Sequence, residues 1–126
     1  MIRPRIYLGE QAASKLRGLQ QRAKVTPKLL CRVGLSISLE DENPVDIAHY
    51  ADGNAREFQM ATLLGQYQEL FLALLRERMA ADGLVDSGNP NDYLRAHISR
   101  GIVHLSNHVR KIEDLVQYVQ PLEETR

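Results

Sequence analysis

The sequence has one cysteine, Cys31, so no internal disulfide can form and a cytoplasmic setting is the expectation. Long apolar runs are missing as well. The longest, Leu70 to Leu75, has six residues, against the roughly 20 that cross a bilayer. No apolar stretch of signal-peptide length follows Met1-Ile2-Arg3-Pro4-Arg5. Membrane, secreted and disulfide-scaffold classes are thereby excluded. Repeats of solenoid period and low-complexity tracts are also lacking. No Gly-rich phosphate loop exists, and no serine–histidine–aspartate arrangement is suggested, so the residues offer no catalytic constellation. What remains is 126 residues, 44% apolar and 25% charged, an ordinary composition for one compact domain spanning 1–126.

Net charge is lacking too, but the zero total hides an asymmetry. Residues 1–34 carry Arg3, Arg5, Lys15, Arg17, Arg22, Lys24, Lys28 and Arg32 against Glu10 alone, a net of +7. Residues 35–92 carry a net of −8, and residues 93–126 a net of +1. A basic first quarter followed by an acidic middle points to a polyanion held on one face. The alternative is that the two blocks pair with each other across the fold. The acidic stretch 40–57 could also serve as a docking surface for a basic partner protein.

The opening residues alternate, with Ile2, Pro4, Ile6 and Leu8 on one side and Arg3, Arg5 and Tyr7 on the other. That period of two predicts a short strand, and Pro4 confines it to an edge or a two-stranded ribbon. From Glu10 to Lys24, Ala12, Leu16, Leu19 and Ala23 recur at helical spacing. Thr26-Pro27 reads as an N-cap with proline at the first helical position, opening a second helix to about Glu40. That helix is apolar nearly all round, so it is expected to be buried in a core or against a second subunit. Residues 41–54 read as loop. A third helix is expected from about Thr62 to Ala81, with Gly83 ending it. A fourth is expected to start near Asn91 or Asp92 and to run to just before Pro121, carrying Leu94, Ile98, Gly101, Leu105, Val109, Ile112, Val116 and Val119. The expectation is an all-α protein of about four helices with a short N-terminal strand.

Few residues suggest chemistry. His97, His104 and His108 fall on one strip of the last helix, and His104 with His108 has the i, i+4 spacing of a metal-binding pair. No glutamate follows His104 and no third ligand is evident, so interface hydrogen bonding, or a pH-sensitive contact, is the stronger reading and no metal site is assigned. Cys31 lies beside Arg32, whose charge could activate the thiol, but a helix exposing so little favours a buried inert one. The basic quarter is more informative. A strand presenting Arg3, Arg5 and Tyr7, followed by two helices, has the order of a ribbon-helix-helix unit, in which two chains pair their strands in the major groove. The start of the second helix, near Thr26 to Lys28, would then offer open amides to a phosphate.

Three segments together resemble the DNA sulfur modification protein DndE family: Arg5-Ile6-Tyr7-Leu8; Thr26-Pro27-Lys28-Leu29-Leu30-Cys31-Arg32-Val33 through Ser38-Leu39-Glu40; and Glu57-Phe58 through Thr62-Leu63-Leu64-Gly65 to Leu70-Phe71-Leu72-Ala73-Leu74-Leu75. Arg95-Ala96-His97 and Arg100-Gly101 are similar to that family as well, and the likeness covers about residues 3–116. The resemblance implies a small, mainly helical, homo-oligomeric, tetrameric protein. It would work with a cysteine desulfurase, a sulfur-transferring protein and an ATPase that together replace a non-bridging phosphate oxygen of DNA with sulfur. It further implies a non-catalytic subunit, without cofactor, that binds duplex DNA, nicked duplex included, through surface lysine and arginine. Carried onto this chain, the DNA-binding positions are Arg3, Arg5, Lys15, Arg17, Arg22, Lys24, Lys28 and Arg32. The alternative from the residues themselves is a sequence-specific ribbon-helix-helix regulator.

Overall fold

A computed structural model of the chain describes residues 3–84, 89–111 and 113–116. Strand β1 (Arg5–Leu8) leads into helix α1 (Glu10–Ala23) and helix α2 (Pro27–Glu40). After a 3-10 turn at Ala48–Tyr50 come strand β2 (Arg56–Gln59) and the short helix α3 (Met60–Leu64). A second 3-10 turn at Gly65–Tyr67 joins α3 to helix α4 (Gln68–Ala81), and helix α5 (Pro90–His108) follows. The mainly helical class with a short N-terminal strand is as the sequence predicts.

The strand finds its partner within its own chain. β1 pairs antiparallel with β2, Ile6 opposite Phe58 and Tyr7 opposite Glu57. Ile6 and Leu8 turn into the core while Arg5 faces solvent, the alternation read from the sequence. The other edge of β1 is held by Asn91 of α5, whose amide donates to the Arg5 carbonyl (3.2 Å) and whose Oδ1 accepts from the Arg3 N–H (2.9 Å). β2 itself was not legible as a strand. Its four residues, Arg-Glu-Phe-Gln, contain one strong strand former, and pairing with β1 supplies what propensity does not.

The helices follow local chemistry. α1 buries Ala12, Leu16, Leu19 and Ala23, as their spacing requires. Thr26 caps α2 by accepting from the Leu29 N–H (3.4 Å), with Pro27 in the first turn. Asn89 caps α5 in the same way through the Asn91 N–H (2.9 Å), with Pro90 in the first turn.

Two expectations need correction. The helix expected over 62–81 is interrupted at Gly65, whose φ of 57° and ψ of −138° leave the helical region for one that glycine enters cheaply. The last helix stops at His108 instead of continuing toward Pro121, because Val109 takes extended backbone (φ −111°, ψ 120°). The Asp114 carboxylate then accepts the Arg110 and Lys111 amides (2.7 and 3.2 Å) and starts a fresh turn at 113–116. Ile112 and Val119, placed on that helix by the pattern, lie outside the described residues.

α5 is the axis of the fold, packing against α1, α2, α4 and β1. Its closest approach is to α2, where Gly101 meets Gly34. A Cβ on Gly101 would sit 1.8 Å from the Gly34 carbonyl oxygen, a separation real atoms do not reach. The pair of glycines therefore sets how near the two main helices lie.

Candidate nucleic-acid interface

The eight basic positions named from the sequence divide into two kinds. Lys15, Arg17 and Lys24 are exposed on the two flanks of α1, Lys15 on one side of its buried stripe and Arg17 and Lys24 on the other, and Lys28 is exposed in the first turn of α2. Among the described residues no ion pair involves any of them. Lys24 occupies the left-handed turn (φ 56°) that ends α1, its N–H returning to the Gln20 carbonyl, so its side chain stands at the corner between the two helices.

Arg22 and Arg32 are half-buried and hold the fold. Arg22 donates to the Ser106 and Val109 carbonyls (3.1 and 3.3 Å), satisfying the carbonyl-rich end of α5. Arg32 donates from Nε to the Leu63 carbonyl (2.7 Å), at the end of α3. Arg3 and Arg5 are exposed beside an open cavity of about 600 Å³ that Gln59 and Gln68 also line. Arg5 pairs with Glu57 at 3.1 Å, so the basic and acidic blocks do meet across the fold, at this one of the eight positions. The amides at the start of α2 are mostly engaged: Pro27 has none, Leu29 donates to the Thr26 hydroxyl and Leu30 to the Thr26 carbonyl. An anion there would find little beyond the Lys28 N–H.

Sequence reasoning missed Arg110 and Lys111, some ninety residues from α1 in the chain. Arg110 donates to the same Ser106 carbonyl (3.2 Å) that Arg22 uses, so two guanidinium groups converge on one oxygen. Both Arg110 and Lys111 are exposed. Arg110 is thereby brought beside Arg22 of α1, and no linear signal announces this.

The histidines separate. His97 is 1% exposed. Its Nδ1 lies 2.8 Å from the Ser38 hydroxyl, which also accepts from Arg100 Nε (2.8 Å). Burial, then the Arg100 and Arg78 charges, push His97 down to about 4. His104 and His108 stack at 4.2 Å, with His108 Nδ1 on the His104 carbonyl (2.8 Å). Among the described residues, no group of three histidine, cysteine, aspartate or glutamate side chains is placed to hold a metal ion. Cys31 is buried, and burial pushes its thiol up to about 12, the Arg56 charge opposing this only in part. The neighbouring Arg32 turns instead to α3. Within the acidic stretch, Asp41 accepts from Asn43 and approaches Arg100 (3.9 Å), and Asp52 takes the Gln11 N–H (2.9 Å). These carboxylates brace the 41–54 loop. No described helix is long and apolar enough to cross a membrane.

The fold defines a small, mainly helical protein with a two-stranded antiparallel ribbon and with exposed lysine and arginine side chains along α1. The family described as DNA sulphur modification protein DndE matches residues 5–113, and the chain belongs to that family. Its fold is similar to that of DndE from Escherichia coli B7A, a protein involved in DNA phosphorothioation modification, with a TM-score of 0.68 at 22% identity. That likeness covers 83% of this chain and 99% of the other. Among curated proteins no sequence matches.

Proposed function

We propose that this protein is the non-catalytic DNA-binding subunit of a bacterial DNA phosphorothioation machinery. Family membership supports a place in DNA sulphur modification. The observation that supports the DNA-binding part is α1, whose buried stripe is flanked by exposed Lys15 on one side and by exposed Arg17 and Lys24 on the other, all free of ion pairs among the described residues. Lys28, Arg110 and Lys111 are exposed as well, and Arg110 shares the Ser106 carbonyl with Arg22 of α1. Such a surface binds phosphates by releasing counterions and positions a duplex, intact or nicked, without reading its sequence. Arg3, Arg5, Arg22 and Arg32 add charge around it, the last two chiefly as structural residues. The chain acts in the cytoplasm as a homo-oligomer, a tetramer, beside the other sulfur modification proteins.

The ribbon-helix-helix alternative requires β1 to be free for a second chain. β2 and Asn91 hold its two edges here.

The test is binding to intact, nicked and single-stranded DNA of unrelated sequences across a salt series. Wild-type protein is expected to bind duplexes of any sequence with steep salt dependence. Replacing Lys15, Arg17 and Lys24 together by alanine is expected to lower the slope of log K against log salt by about 2 to 3, near 0.9 per lost phosphate contact. An unchanged slope and affinity in that triple variant would sink the assignment.

A further inference from the structure

Two histidines play no part in the function proposed above, and the fold brings their rings together. His104 and His108 stand one turn apart near the end of α5, with ring centroids 4.2 Å apart and planes within 21° of parallel. His108 is exposed and His104 half-buried. To their spacing the structure adds the state of a nitrogen. His108 Nδ1 lies 2.8 Å from the His104 carbonyl. A carbonyl oxygen only accepts, so Nδ1 carries the proton, and the neutral ring holds its lone pair on the outer nitrogen, Nε2. Metal-binding histidines are oriented in this way, their second nitrogen donating to a backbone carbonyl.

The surrounding charges fit a cation. Partial burial and the His108 charge lower the pKa of His104, which leaves its ring neutral at neutral pH. The Asp41 carboxylate acts on His104 in the opposite sense, so negative charge lies within reach of the pair, although Asp41 also approaches Arg100 (3.9 Å). Arg22 and Arg110 meet at Ser106, two residues on from His104 and about 200° round the helix.

We infer that His104 and His108 form a chelating site for a divalent late transition metal, of the zinc, nickel or copper kind. Imidazole nitrogens suit these ions and not magnesium or calcium, which take oxygen ligands. A tetrahedral ion about 2.0–2.1 Å from each nitrogen needs the two nitrogens about 3.4 Å apart. The stacked rings reach that by a tilt that the exposed His108 can make. Among the described residues no third histidine, cysteine, aspartate or glutamate joins the pair, and water fills the positions left open. A bound ion ties together the last turn of α5, immediately before Val109 leaves the helix. The inference is independent of DNA binding.

Calorimetric titration of the untagged full chain with nickel(II) and with zinc(II) at pH 7.5 tests it, with magnesium as the control. One nickel ion per chain is expected to bind at micromolar concentration, and magnesium not to bind. His104→Ala and His108→Ala are each expected to weaken nickel binding more than about tenfold, because the second nitrogen acts as an intramolecular partner to the first. Nickel is expected to raise the unfolding temperature of wild type and of neither variant. His108→Ala, at the exposed position, is expected to unfold as wild type does without metal, and it decides the matter alone if His104→Ala does not fold. With one equivalent of copper(II), electron paramagnetic resonance is expected to show two nitrogen ligands in wild type and no more than one in either variant. Absence of nickel binding by wild type at submillimolar concentration overturns the inference. So does binding that either substitution leaves undiminished, or a copper spectrum that neither changes.

Discussion

Acidification below pH 6.5 should destabilise this fold, and His97 is the reason. In the folded chain the imidazole is buried, hydrogen-bonded to the Ser38 hydroxyl and near Arg100 and Arg78, and burial with these charges pushes it down to about 4. In the unfolded chain it returns to the ordinary value of 6.5. Above pH 6.5 the ring is neutral in both states and the full stability is present. As pH falls through that value the unfolded chain takes the proton first, and stability drops by up to about 1.4 kcal/mol per pH unit. The loss reaches about 2 kcal/mol by pH 5 and about 3 kcal/mol once pH is below 4. A domain of this kind is stable by roughly 5–15 kcal/mol, so the effect is large enough to measure. The assay is urea unfolding at pH 7.5, 6.5, 5.5 and 5.0, on wild type and on His97→Asn. Asparagine keeps an acceptor near the Nδ1 position but cannot titrate, so its absolute stability matters less than its slope. His104 is also lowered, by partial burial and by His108, and contributes the same background to both proteins. If wild type and His97→Asn lose stability in parallel between pH 6.5 and 5.0, the reasoning fails.

Other outcomes follow from packing and burial. Gly101→Ala forces a methyl against the Gly34 carbonyl oxygen and pushes α2 from α5, an overpacking cost of about 3 kcal/mol. Gly18→Ala, whose new methyl meets a single side-chain atom, Arg22 Nη1 at 3.1 Å, asks that guanidinium to give by a few tenths of an ångström and is expected to cost less, about 1 kcal/mol. Equal midpoints for the two variants in chemical denaturation would contradict the close approach of the helices. Cys31, with its thiol held near 12, should resist a disulfide reagent at pH 8 until urea unfolds the chain. Labelling of the folded protein at the rate of a free peptide thiol would show that the helix opens or that the thiol is not buried.

The parts of this fold legible in the sequence are those governed by neighbours along the chain. Thr26-Pro27 starts a helix because hydroxyl and ring act within one turn, and the α1 stripe reads cleanly because the helix has one apolar side. Gly65 was visible as a residue but not as a break, since a lone glycine inside an apolar pattern is also tolerated in a helix. The long last helix failed for a related reason: Val109 fits the apolar period whether the backbone coils or extends, and its burial is kept either way. β2 exists only because β1 lies beside it. Of the eight basic residues of the first quarter, composition gave the number, but which are exposed and which hold the fold was hidden. Nothing in the spacing tells Arg22, which holds α5, from Lys24, which faces solvent. Arg110 comes beside Arg22 through tertiary contact alone.

The convergence of Arg22 and Arg110 on the Ser106 carbonyl also bears on how fast a partner arrives. The Arg22 guanidinium is satisfied by two carbonyl oxygens and the Ser106 hydroxyl, so its hydrogen bonds are spent while its positive charge remains; Arg110 shares the Ser106 carbonyl, and the nearby Asp114 carboxylate balances part of its charge. The helix end they cap offsets only about half a charge. The surplus projects a field from the far edge of α1 that attracts a polyanion from a distance of about a Debye length, roughly 8–10 Å at physiological salt, without touching it. For DNA, these two arginines would set the rate of encounter more than the lifetime of the complex.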